Sequence, residues 1–145
     1  MKHNLILRFI AKYLFPVIAL FAFYVQFHGD YGPGGGFQAG IILSVAFIFY
    51  ELVFGLKTAE QVVPPHVLRI LMCTGVLIYA GTGVTTMLMG GNFLDYNLLS
   101  LNPVEGQHIG ILLIELGVGI TVSSVMLIIF FAFAGRNRPE KAEHD

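Results

Sequence analysis

The sequence predicts an all-α integral membrane protein with four transmembrane helices and both termini on the cytoplasmic side. Composition is the first reason. The chain is 56% hydrophobic and only 12% charged, about half the charged share of a soluble domain. A soluble fold of 145 residues has too little interior to hide that much apolar surface. Length is the second reason: four apolar stretches each reach the roughly 20 residues needed to cross a hydrocarbon core. Charge is the third. Lys2, Arg8 and Lys12 lie at or before the first span, Lys57 and Arg69 flank the connection between the second and third, and Arg136, Arg138 and Lys141 follow the fourth. These are all eight Lys and Arg of the chain, and segments 28–36 and 90–106 carry none. The positive-inside rule then sets an N-in, C-in topology.

The spans are expected at Asn4–Phe27, Gly36–Leu56, Val67–Met89 and Gln107–Ala134. The first has the cationic flank of a secretory signal but no small-x-small cleavage site, so it reads as a retained anchor, modestly kinked at Pro16. In the second, Gly40, Ser44, Glu51 and Gly55 recur along one stripe, a pattern of close helix packing. The third reads as a packing helix through Thr74, Gly81 and Thr85, its hydroxyls bonded to their own backbone, with Cys73 an inert buried thiol. The fourth carries Glu115. The four form one membrane domain over residues 1–145, and residues 135–145 are a polar cytoplasmic tail.

Two outer connections differ in character. The first, His28-Gly29-Asp30-Tyr31-Gly32-Pro33-Gly34-Gly35-Gly36, is a Gly-rich turn between helices one and two. A phosphate loop would need a following Lys and a preceding strand, and neither is present. The turn instead reads as structural, with Pro33 fixing φ and Gly34, Gly35 and Gly36 permitting close backbone approach. The start of the second span also offers unpaired N–H groups and a positive dipole end, where an anion or a partner carboxylate can dock. The second connection contains Phe93, Tyr96, Leu98, Leu99 and Leu101, enough apolar surface to lie on the membrane or on a partner.

The candidate functional residues are the acids and histidines near or within the spans. Glu115 sits about a third of the way into an apolar helix, where a charge is costly unless paired, hydrated or protonated. His108, seven residues earlier, shares its face and lies about 10 Å outward. The pair can be successive stations for protons or cations, or Glu115 can be an acid bonded to a neighbouring helix. Glu51, near the inner end of the second span, is either an anchoring acid or part of an ion path. His28 and Asp30, with Asp95, Glu105 and His108, can make an acidic, cation-attracting outer mouth.

Other classes are disfavoured. A net charge of −1 gives no basic field for nucleic acid. A single Cys73 allows neither an intramolecular disulfide nor a multi-thiolate metal or iron–sulfur site. No short ligand spacing supports a metal, no cofactor motif is present, and no nucleophile–base pair supports an enzyme; no catalytic residue is assigned.

The run from His28 through Pro33, Gly34, Gly35, Gly36, Phe37, Gln38 and Ala39 to Gly40 resembles the signature of the MnhB family, the B subunit of the Mrp-type multisubunit sodium/proton antiporter. The run Gly110-Ile111-Leu112-Leu113-Ile114-Glu115-Leu116-Gly117-Val118 resembles a second stretch of that family. This chain has Asp30 where the family often has His, and Ala39 where it often has Gly. The resemblance implies a small multi-pass subunit of the cell membrane, partnered by other membrane subunits in a complex that exchanges Na+ for H+. In such complexes the translocating Lys and Glu residues lie mainly in the large subunits. Two other settings also accommodate four such spans. One is the equivalent subunit of a membrane-bound hydrogenase-type respiratory complex. The other is a self-contained small exporter, although exporters of that kind use a Trp-containing pocket and this chain has no Trp.

Overall fold

The structure, a computed structural model, describes residues 5–29 and 32–136. Its helices are α1 (Leu5–His28), α2 (Gly36–Phe54), the short α3 (Leu56–Val62), α4 (Pro65–Leu88) and α5 (Pro103–Gly135), with a 3-10 turn at Tyr96–Leu99. Among the described residues there is no strand. Four helices, α1, α2, α4 and α5, are long and apolar enough to cross a membrane. The chain is therefore a multi-pass, all-helical membrane protein. Its cytoplasmic-tail expectation falls almost wholly outside the described residues, as do Lys2, Arg138 and Lys141.

Helix boundaries move from their expected places for local reasons. The second helix stops at Phe54 because Gly55 takes a φ of 94°, a left-handed conformation that favours glycine. The chain then re-enters a helix as α3, an element not expected from the sequence. Pro65 and Pro103 occupy the first helical positions of α4 and α5, where a missing N–H costs nothing. At α5 the Asn102 side chain accepts a hydrogen bond from Val104 N at 3.1 Å, a conventional N-cap. These signals start the last helix at Pro103 rather than Gln107. Pro16 is accommodated inside a continuous α1.

The spanning helices pack as a row: α1 on α2, α2 on α5 and α5 on α4. The most apolar windows of α2 and α5 are each 33% buried, against 11% for α1 and 22% for α4. The middle of the row is thus α2 and α5, and the outer two helices keep most of their apolar surface for the bilayer. Small residues draw the helices together, as expected where lipid removes the hydrophobic drive for association. A Cβ on Gly75 of α4 would meet the Gly117 carbonyl oxygen of α5 at 2.6 Å, and one on Gly117 would meet the Gly75 carbonyl at 2.9 Å.

The packing face of α4 differs from the expected one. Its buried residues are Leu68, Gly75, Thr82, Gly83 and Thr86, whereas Thr74, Gly81 and Thr85 are exposed. Thr74 and Thr85 do donate to their own helix, at Ile70 O and Gly81 O (2.9 and 2.8 Å). Cys73 lies on the same outward side and is exposed, not buried. The buried side is the one where Gly75 takes the close α5 contact and Gly83 takes the Phe93 ring, while nothing lies within 4 Å of a Cβ on Gly81.

The connection 89–102 folds back onto its own helices. The Phe93 ring covers Gly83 and the Tyr96 ring covers Gly110. The fully buried Thr86 ties the loop down, its hydroxyl accepting from Leu94 N at 3.0 Å. This holds Leu94 at a φ of 64°. Burial, and then the charge of neighbouring Tyr79, raises the Tyr96 phenol above the ordinary tyrosine value.

The helix contacts give a paired expectation. Gly75→Ala should destabilise by about 1–3 kcal/mol, the range for overpacking a tight contact. Gly81→Ala, where nothing lies within 4 Å of the new Cβ, should be neutral or mildly stabilising. Thermal unfolding of both variants in mild detergent checks this, and equal loss in both would refute the assigned α4–α5 face.

Candidate functional site

The site is built where α1, α2 and α5 meet, at the end of these helices that carries the Gly-rich run. After α1 ends, Gly32 N donates to His28 O and Gly35 N donates to Val25 O, both at 3.1 Å. The Gly-rich run is therefore folded back along the last turn of α1. Gly35 has a φ of 113°, so this reversal requires glycine. A Cβ on Gly34 would approach the Val25 carbonyl at 2.8 Å. Phe37, the next residue, is exposed and starts the outward face of α2.

α5 runs parallel to α2 and fills the space the glycines leave. A Cβ on Gly36 would collide with the Glu115 carbonyl oxygen, and one on Gly40 would meet the Gly119 carbonyl at 2.8 Å. The Glu115 carboxylate turns up into the run itself. Its Oε1 lies 3.0 Å from where a Cβ on Gly35 would stand, and a Cβ on Gly29 would collide with it. Two glycines, Gly29 and Gly35, thus leave room for the carboxylate, and Gly36 leaves room for the backbone that carries it. The place they leave is the N-terminus of α2, whose cap is Gly35, with no side-chain capping bond. The first amides of a helix lack intrahelical partners and carry its positive dipole end. A carboxylate there gains up to about 2 kcal/mol from the dipole in partly buried geometry. That is comparable with the roughly 3 kcal/mol assigned to a charged side chain at the centre of a membrane helix. The two sequence features that suggested a docked carboxylate and a costly mid-span acid are one feature.

The remaining candidates do not gather around Glu115 as a single cluster. His28 is half-buried beside this run, stacked on Tyr24 with ring centroids 5.3 Å apart. Asp30 lies outside the described residues. His108 is exposed on the outer turns of α5. Asp95 and Glu105 accept local hydrogen bonds from Asn97 Nδ2 (3.1 Å) and Ser100 Oγ (3.2 Å). Glu51 is only 5% exposed, on the same buried face of α2 as Gly40 and Ser44. It stands fifteen residues beyond Gly36, about 22 Å of helix rise. Among the described residues no group of three His, Cys, Asp or Glu converges as metal ligands would.

Between the two acids the structure adds residues that sequence reasoning missed. Gln26 of α1 is 6% exposed, its Oε1 lies against Gly119, and its Nε2 is buried without a hydrogen-bond partner. It lines a cavity of about 100 Å³ together with Gly40, Gly119 and Ser123. Ser44, Ser123 and Ser124 are buried along the same interface, and each donates to a carbonyl of its own helix. The available signal was a lone amide in the apolar run Val25-Gln26-Phe27.

A family model described as "Domain related to MnhB subunit of Na+/H+ antiporter" matches residues 6–128. The chain belongs to this family. Proteins named "Putative antiporter subunit mnhB2" from Staphylococcus aureus strains Newman, JH1 and COL are each 36% identical to it over 139 residues. That alignment covers 93% of this chain and 98% of each relative. Family and helices together make this MnhB-type chain a multi-pass protein of the cell membrane, from a family of antiporter subunits.

The site analysis separates shape from chemistry. Gly36→Ala should abolish accumulation, because the methyl meets backbone rather than a movable side chain. Gln26→Leu should accumulate at least as well as the native chain, since removing a buried amide that lacks a partner is neutral or stabilising. Immunoblots of membranes read both; normal levels of Gly36→Ala would refute the backbone contact.

Proposed function

We propose that this MnhB-type chain is a structural subunit of a multisubunit Na+/H+ antiporter, and that its glycine-seated Glu115 lines the outer part of the complex's cation or proton path. Its partners are the other membrane subunits and the bilayer, and Na+ and H+ are the ions the complex carries. The observation that carries the reading is the seat of Glu115 at the start of α2. Its seat is built of glycine backbone at the start of a helix, where the positive dipole end favours the charged form. The open helix row supports the assembly role: α1 and α4 expose apolar faces that other subunits and lipid can cover. The cation-bearing ends of the helices are the cytoplasmic ends in this reading, which puts Glu115 on the external side.

The test is Glu115→Gln in the assembled antiporter, assayed in everted vesicles. The amide keeps shape and most hydrogen-bonding capacity but cannot titrate. Subunit content should be preserved and Na+-driven proton exchange should fall about tenfold or more, a modest share of what a positioned proton carrier supplies. Glu115→Asp should recover part of it. Normal exchange across the pH range would leave Glu115 a packing acid only.

Topology has its own check. In a Cys73→Ser background, chosen because Cys73 is exposed, Asn97→Cys should react with an impermeant thiol reagent in intact cells. Asn4→Cys and Ala142→Cys should react only after the membrane is opened. Labelling of either terminus from outside would overturn the orientation.

A further inference from the structure

At the opposite end of α1 and α2 from the Gly-rich run, the two helices enclose an open cavity of about 710 Å³. Arg8 and Lys12, one helical turn apart on α1, form one wall, and Tyr50 and Phe54 of α2 form the other. The aromatic wall is itself ordered: the two rings stack with centroids 4.5 Å apart, and Phe15 meets Tyr50 edge-on at 5.7 Å. The Arg8 guanidinium carbon lies 5.3 Å from the Phe54 ring centroid, a cation–π distance. Among the described residues that line the cavity none is acidic. The nearest acid along α2, Glu51, is buried in the helix interface. Farther along α1 the cavity gives way to an apolar groove of about 350 Å³ lined by Phe9, Ile10, Tyr13, Leu14 and Val17.

We propose that this cavity is a binding site for an anionic phospholipid. Its phosphate lies between Arg8 and Lys12, and an acyl chain follows the groove past Phe9, Tyr13 and Val17. Charge and shape argue together. The first two turns of a spanning helix sit at headgroup depth, where long cationic side chains reach the interface. Arg presents a planar fork that binds phosphate oxygens in pairs, and Lys adds a point charge. A free phosphate would satisfy the cations but leave the aromatic wall and the groove uncovered. A neutral lipid would cover the groove but leave two cations without an anion.

The experiment places a photo-crosslinking p-benzoylphenylalanine at Phe9, which is 63% exposed, in the assembled complex. The complex is reconstituted into vesicles of one part phosphatidylglycerol to three parts phosphatidylcholine, and adducts are identified by mass. The expected result is phosphatidylglycerol adducts enriched roughly tenfold over their share of the bilayer, the order expected when two cations meet one phosphate near a membrane surface. Inorganic phosphate at millimolar level should not reduce them. The Arg8→Gln, Lys12→Gln double variant should return the ratio to that of the bulk lipid. Adducts in the bulk ratio, adducts to another polypeptide or to the chain itself, or displacement by inorganic phosphate would each overturn the site. The enrichment in the unaltered charge background decides the matter if the double variant does not assemble.

Discussion

The contact on which this fold depends is backbone against backbone: the first turn of α2 pressed on α5 at Glu115. Gly36 meets the Glu115 carbonyl and Gly40 meets the Gly119 carbonyl, so the two helices approach as closely as a side-chain-free surface allows. In a bilayer this closeness supplies the association energy, because lipid tails compete for apolar side chains but not for tight packing. The same contact explains why an acid can sit there. A glycine surface leaves room for the carboxylate, and the start of a helix is the positive end of its dipole. Packing and electrostatics are solved by one sequence run, so damage to either reaches the other.

From that contact the rest of the row follows. α5 holds α2 through one glycine-bearing face and α4 through another, where Gly75 and Gly117 oppose each other. α1 is fastened chiefly to α2, through the reversal at Gly35 and through the ring contacts of Phe15 with Phe47 and Tyr50. A helix so attached cannot bury both its sides. Phe9, Tyr13, Val17, Phe21 and Tyr24 remain exposed on α1, a surface suited to lipid or to neighbouring spans. A row, unlike a closed bundle, offers its middle helices to partners on both faces, which suits a subunit more than a self-contained carrier.

Much of this was legible in the sequence, and the failures share a cause. Span number and rough limits follow from hydropathy, since no other structure satisfies the backbone in hydrocarbon. The buried stripe Gly40, Ser44, Glu51 follows from period 3.6. The face of α4 does not, because its two sides both carry small residues and hydroxyls; only the α5 surface against Gly75 and the Phe93 ring over Gly83 select that side over Gly81. Cys73 was misplaced with it. The connection at 89–102 reads as apolar surface for the membrane or a partner, and nothing local reveals that Phe93 and Tyr96 also fit over glycines of adjacent helices. Gln26 escaped notice since a single amide near a helix end looks like a boundary. Glu115 and the glycine run were each singled out, yet they are eighty residues apart in register terms and periodicity within one helix cannot join them.

The placement of polar groups along the α2–α5 interface constrains how far the proposed role extends. Inward from Glu115 come the Gln26 amide, then the hydroxyls of Ser44, Ser123 and Ser124, then Glu51. An amide does not readily accept and release a proton, and each serine hydroxyl already donates to a carbonyl of its own helix. About 22 Å separate the helix levels of the two acids, far beyond direct transfer. A proton or cation arriving at Glu115 therefore has no continuous titratable route to Glu51 within this interface. It must turn sideways, into the space between this chain and a neighbour, and the exposed flank at Phe37 and the glycine turn is where the row is open. Under the proposed role, the subunit supplies one wall and one acid to a path that a partner packed alongside completes.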